Sequence, residues 1–167
     1  LLSGGTGSVS HTEEVPSFLP DRFEPGTPNI PGILGLHAAL CDLEQTDMGK
    51  LHQHELELTQ YFINGLMQMD PSESTLRAIG KHNTIERTSV VSVQTLQTDM
   101  ARVAYELDNT YGIMTRVGLH CAPSAHKTLG TYPEGTIRFS FGPENTHHEV
   151  DLALHALAEI TGSPYHL

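Results

Sequence analysis

Residues 116–123 read Arg-Val-Gly-Leu-His-Cys-Ala-Pro, which sets one of the chain's two cysteines directly after a histidine in a glycine-punctuated turn. A thiol attacks only as its thiolate, so a useful cysteine needs nearby positive charge, a helix N-terminus and some exposure. Arg116, His120 and the helix start at Ala122-Pro123-Ser124-Ala125 could supply these. Cys41 lies instead in the apolar run Leu40-Cys41-Asp42-Leu43 and reads as packing. Taken alone, Cys121 would be a small buried residue at a strand–helix junction; the segments around it shift the balance toward a reactive thiol.

Downstream, in Glu134-Gly135-Thr136-Ile137-Arg138-Phe139-Ser140-Phe141-Gly142, three apolar residues alternate with Arg138 and Ser140. This is the pattern of a half-buried strand, with Ile137, Phe139 and Phe141 on a core and Arg138 projecting from the other face. An arginine grips a carboxylate through two parallel hydrogen bonds, so thiol plus arginine suggests a nucleophile working on a small carboxylic acid. A solvated strand arginine is the plainer alternative. Upstream, Gly26-Thr27-Pro28-Asn29 leads into an apolar helical run. Backbone N–H groups at a helix start with a threonine beside them favour a phosphate, although simple capping explains the segment locally.

Together these segments resemble the cysteine desulfurase branch of the class V aminotransferases, a family with the type I fold of pyridoxal-phosphate enzymes. The resemblance is carried, in order, by Gly4-Gly5-Thr6-Gly7-Ser8, by Arg22-Phe23-Glu24 with Gly26-Thr27-Pro28-Asn29, by Gly118-Leu119-His120-Cys121-Ala122-Pro123, and by Ile137-Arg138-Phe139-Ser140 followed by Asn145-Thr146. It spans nearly the whole chain but only the C-terminal two fifths or so of such an enzyme, and the start at Leu1 without methionine reads as a piece of a longer polypeptide.

The resemblance implies a pyridoxal 5'-phosphate enzyme that converts L-cysteine to L-alanine and passes sulfur to an enzyme persulfide. It implies Cys121 as the nucleophile, Arg138 on the substrate carboxylate, and Thr27 with Gly26 at the cofactor phosphate of the neighbouring subunit in a homodimer. His120 and Arg116 flank the thiol. A sulfur acceptor protein and a missing N-terminal cofactor domain are the implied partners. The family's Schiff-base lysine precedes the glycine-rich loop, so it falls before Leu1, and the chain alone should be inactive. His126-Lys127 mimics the family's His-Lys pair but follows the Cys121 loop, so Lys127 is not taken as the anchor. Selenocysteine lyase or another class V activity would use the same residues.

Composition bounds the rest. A formal charge of -11 argues against nucleic acid and anionic membrane surfaces, which need clustered Lys and Arg. No apolar stretch has the length of a membrane span. Two cysteines in dissimilar contexts make no disulfide framework and favour a reducing, cytoplasmic setting.

Patterning predicts an α+β layer, one short sheet covered by helices. Residues 1–29 read as an extended arm and loop left from the large cofactor domain. Residues 30–70 hold a helix at 31–44, apolar almost all round and so expected to be buried on more than one side, and a long linking helix at 48–69. In an isolated piece, the first of these should expose an apolar surface. Residues 71–167 form the small domain, with strands near 75–79, 88–93, 113–117 and 137–141. Its helices fall at 98–109 and 123–129, and a last one opens on the capping box Thr146-His147-His148-Glu149.

Two readings from other classes stand beside the enzyme. Eleven histidines raise a metal-binding module, since His147, Asp151 and His155 recur every four residues on one helical face. No Cys-x-x-Cys or second ligand cluster accompanies them, so no metal ligand is assigned. A non-catalytic interaction domain built on the same fold is the other.

Overall fold

Apolar residues at helical spacing and at alternate strand positions build the layers of this chain. In the computed structural model, which describes residues 7–9 and 11–165, the elements are α1 (Ile30–Gln45), α2 (Met48–Met69), β1 (Leu76–Ile79), β2 (Val90–Thr95), α3 (Met100–Tyr111), β3 (Arg116–Gly118), α4 (Pro123–Leu129), β4 (Thr136–Ser140) and α5 (His147–Thr161). They divide into two units, Leu1–Asp47 and Met48–Leu167.

The second unit is an α+β layer. Its four strands form an antiparallel sheet in the order β1-β2-β4-β3. One sheet face contributes Leu76, Ala78, Val91, Val93, Ile137 and Phe139 to the core. Three helices cover that face: α2 through Leu58, Phe62, Ile63, Leu66 and Met69, α3 through Val103 and Leu107, and α5 through Val150, Ala153, Leu154 and Leu157. Phe62 packs its ring 4.8 Å from Phe139 and 5.3 Å from Phe141, pinning α2 onto β4. Gly65 lets α5 approach α2: a Cβ there would lie 2.3 Å from Leu154 Cδ1.

Local chemistry sets the element ends. Thr146 caps α5 through the Glu149 N–H, and the Glu149 carboxylate returns to the Thr146 N–H at 2.8 Å, the reciprocal pair anticipated from sequence. Asp70 closes α2 and turns the chain into β1. Burial pushes its carboxyl up, but hydrogen bonds from the Leu76 and Thr75 N–H groups and the Ser72 hydroxyl outweigh this and hold it well below the usual carboxylate range.

The first unit contains α1, capped by the Asn29 side chain, which accepts from the Gly32 N–H at 3.1 Å. The expectation that α1 is buried on more than one side is not met. None of its residues is buried, and Ile33, Leu34, Leu36 and Leu40 are all more than half exposed. All-round hydropathy records that a helix needs cover; it does not say that the cover belongs to these residues. The apolar surface expected on the isolated piece is present.

Candidate active site

The alternation in β4 sorts its side chains between two environments. Thr136 and Arg138 share the sheet face opposite Ile137 and Phe139. Arg138 lies directly across from Arg116 on β3 and Ser92 on β2, so the three side chains stand in one row on the face away from the core. The Arg138 Nε is buried and has no hydrogen-bond partner among the described residues. A buried donor without a partner is costly.

The thiol enters this row from the loop after β3. Gly118 has φ 109, and His120 and Cys121 follow with φ 49 and 59, two consecutive residues in the left-handed region that side chains rarely adopt. The loop therefore reverses tightly enough to bring Cys121 back beside the strand it has just left. Cys121 is exposed, with Sγ 3.9 Å from Arg116 Nη2. Cys41 is half-buried on α1, 3.8 Å from the His37 ring nitrogens.

Contacts at Gly135 and at the first residue of β4 hold the loop. Gly135 meets Gly118 so closely that a Cβ on it would lie 2.3 Å from the Gly118 carbonyl, and Gln94 Nε2 donates to the Gly135 carbonyl at 3.2 Å. His120 Nε2 lies 3.2 Å from Thr136 Oγ1, while its Nδ1 is buried without a partner. Burial, then the charges of Arg138, His126 and Arg116, hold the His120 imidazole below its ordinary value, against a backbone hydrogen bond at Thr136. A positive charge on the His120 ring is therefore disfavoured where it sits.

A family model for class V aminotransferases matches residues 1–153. The chain belongs to the class V aminotransferase family. Within it, the curated relatives include a probable cysteine desulfurase of Pyrococcus abyssi, 35% identical over 144 residues, which cover 86% of this chain and 34% of the relative. Another, from Methanothermobacter thermautotrophicus, is 32% identical over 164 residues, covering 97% of this chain and 40% of the relative. The apo cysteine desulfurase of Thermococcus onnurineus NA1 superposes with a TM-score of 0.73 at 34% identity, covering 86% of this chain and 34% of that one. The chain thus spans about two fifths or less of the relatives it matches.

The other candidate residues of this class V aminotransferase chain fall as follows. Gly26 and Thr27 lie in the Leu1–Asp47 unit, Gly26 with φ 84 and Thr27 exposed. Lys127 reaches over the Tyr132 ring, 5.1 Å from its centroid, and His126 beside it is buried and bonded to Thr131. On α5, Asp151 accepts the Tyr61 hydroxyl at 2.7 Å and His155 lies 3.5 Å from Glu159. Among the described residues no three His, Cys, Asp or Glu gather as a metal site. Sequence reasoning missed Thr136 and Gly135, which meet the thiol loop at His120 and Gly118, and Gln94 on β2, which donates to the Gly135 carbonyl.

Proposed function

We propose that this chain is the C-terminal part of a pyridoxal-phosphate-dependent cysteine desulfurase, acting on L-cysteine to give L-alanine and a persulfide on Cys121. The observation that supports the reading most directly is the exposed Cys121 sulfur 3.9 Å from Arg116, beside the row in which Arg138 faces Arg116. Positive charge beside an exposed thiol favours the thiolate, and a second guanidinium nearby suits the carboxylate of an amino acid.

In this reading Cys121 attacks the substrate sulfur, Arg138 aligns the substrate through its carboxylate, and Arg116 stabilises the thiolate. The partnerless Arg138 Nε fits a carboxylate acceptor, and the exposed Thr27 hydroxyl next to Gly26 fits a cofactor phosphate reached from the neighbouring subunit of a homodimer. Pyridoxal phosphate supplies the electron sink for the carbon–sulfur cleavage; this chain's residues orient the substrate and provide the nucleophile. The anchoring lysine belongs to the N-terminal cofactor domain, residues 1–29 are the arm that meets it, and a sulfur acceptor protein takes the persulfide sulfur in the cytoplasm.

The test is Cys121→Ala in the complete polypeptide. Sulfur transfer should be abolished while the cofactor absorbance is unchanged, because the thiol acts only after the substrate is bound. Retained sulfur transfer would sink the assignment.

A further inference from the structure

The sheet is joined unevenly where β4 begins. β2 pairs with β4 only as far as Val93 opposite Ile137, whereas β3 continues one residue further, to Gly118 opposite Thr136. Gly135 and Thr136 therefore lie beyond the last β2 pair. The Gln94 side chain crosses that gap, its Nε2 donating to the Gly135 carbonyl at 3.2 Å. It stands where the next rung of the ladder would be, and it is only 6% exposed, so both ends of its amide need partners from the protein.

The other end is held by Arg77. Directly across from Gln94 on β1, its Nη2 donates to Gln94 Oε1, the one hydrogen bond of the Arg77 side chain among the described residues. These two contacts fix which way the amide faces. A guanidinium only donates and a backbone carbonyl only accepts, so the oxygen must face Arg77 and the nitrogen must face Gly135. Without the Arg77 donor the Gln94 oxygen would be buried with nothing to bond, and the amide would gain by turning away from Gly135 to find water.

Gly135 in turn bears on the thiol loop. It has φ 82, and it approaches Gly118 so closely that an added Cβ would lie 2.3 Å from both the Gly118 carbonyl carbon and its oxygen. Gly118 opens the turn whose left-handed residues His120 and Cys121 carry the sulfur back to Arg116. We propose that Arg77 is a positioning residue for the Cys121 thiol: it fixes the Gln94 amide, the amide fixes the Gly135 peptide, and that peptide seats the Gly118 turn. β1 and β3 are the two edges of the sheet, so Arg77 acts across three strand spacings, about 14 Å. Its part in sulfur transfer rests on the reading of Cys121 given above; its part in placing the loop does not.

The test is made in the complete polypeptide by timing Cys121 alkylation at neutral pH, with Cys41 as internal reference and denaturant unfolding measured on each variant. Arg77→Met keeps the reach of the side chain and loses the donor, while Arg77→Lys restores a donor. Gln94→Glu keeps the shape and the Arg77 contact but presents an acceptor to the Gly135 carbonyl, so it breaks only the second link. Arg77→Met and Gln94→Glu should each slow Cys121 about fivefold, the size expected for one buried hydrogen bond, by moving the sulfur off Arg116. Arg77→Lys should stay within about twofold of wild type, and Cys41 should be unchanged throughout. Because the effect runs through Arg116, Arg116→Met should itself slow Cys121, and Arg77→Met should add nothing on that background. A contribution to stability alone behaves otherwise, multiplying the two effects. A wild-type Cys121 rate in Arg77→Met or Gln94→Glu, or multiplied effects in the double variant, would overturn the proposal. The expected labelling pattern in a polypeptide that transfers no sulfur from cysteine would uphold it and sink the reading of the thiol instead.

Discussion

Cys121 and Cys41 differ in what surrounds them rather than in chemistry. Cys121 is exposed beside a guanidinium, while Cys41 is half-buried along a helix next to the His37 ring. Alkylation under native conditions followed by peptide mapping should label Cys121 first, and faster labelling of Cys41 would count against the assignment. At Arg138 the proposed carboxylate contact is bidentate, so lysine keeps the charge but loses the fork. In the complete polypeptide Arg138→Lys should raise the KM for cysteine, and Arg138→Ala should raise it further, with the cofactor retained. The loss for alanine should be about 2 kcal/mol, roughly thirtyfold in substrate capture; unchanged kinetics would leave Arg138 a strand charge. The placement of these two residues was legible in the sequence because each sits in a short pattern that carries its own geometry: His-Cys after a glycine, and arginine at an alternate strand position. His126 was not, because its relation to His120 depends on the left-handed turn at residues 120 and 121, which two non-glycine residues do not announce.

The elements read well from sequence where one signal dominates. α2 and α4 end where periodicity and proline place them, and the α5 capping box forms as written. β3 proved shorter than its apolar run, three residues at Arg116–Gly118, because only those pair with β4. α1 is the contrary case, a strong helix whose apolar residues reveal nothing of where they will be covered. What no local pattern holds is the Gln94 to Gly135 bond, made across 41 residues, and the contact of Gly135 with Gly118. Gly135 has φ 82 and no room for a side chain, so Gly135→Ala combines backbone strain with a clash against peptide atoms. It should destabilise the chain by about 1–3 kcal/mol and slow Cys121 alkylation, measured by denaturant unfolding and thiol labelling. Wild-type labelling in a folded Gly135→Ala variant would show that the Gly118 contact does not set the thiol's position.

At the scale of the whole molecule, every buried hydrophobic side chain among the described residues belongs to the Met48–Leu167 unit, from Leu58 onward. Residues 48–167 produced alone should therefore unfold cooperatively, with a Tm within about 4 °C of the longer chain and less self-association, since the exposed leucines of α1 are gone. A non-cooperative transition would show that the first unit contributes to the core's stability. Against a net charge of -11, Arg77, Arg116 and Arg138 occupy non-core positions of the sheet, so an acidic chain presents a local field that attracts anions. The sheet itself is a partition one strand thick, with Ile137 and Phe139 facing the core and Thr136 and Arg138 on the opposite face. Its tolerance of length changes is therefore a matter of parity. Removing or inserting one residue between Gly135 and Ile137 exchanges the two faces and drives the guanidinium toward Phe62, whereas a change of two preserves the sides and shifts only the neighbours. Single-residue indels in this stretch should thus be lost from any functional library that still accepts them in the exposed turn at Pro143 and Glu144.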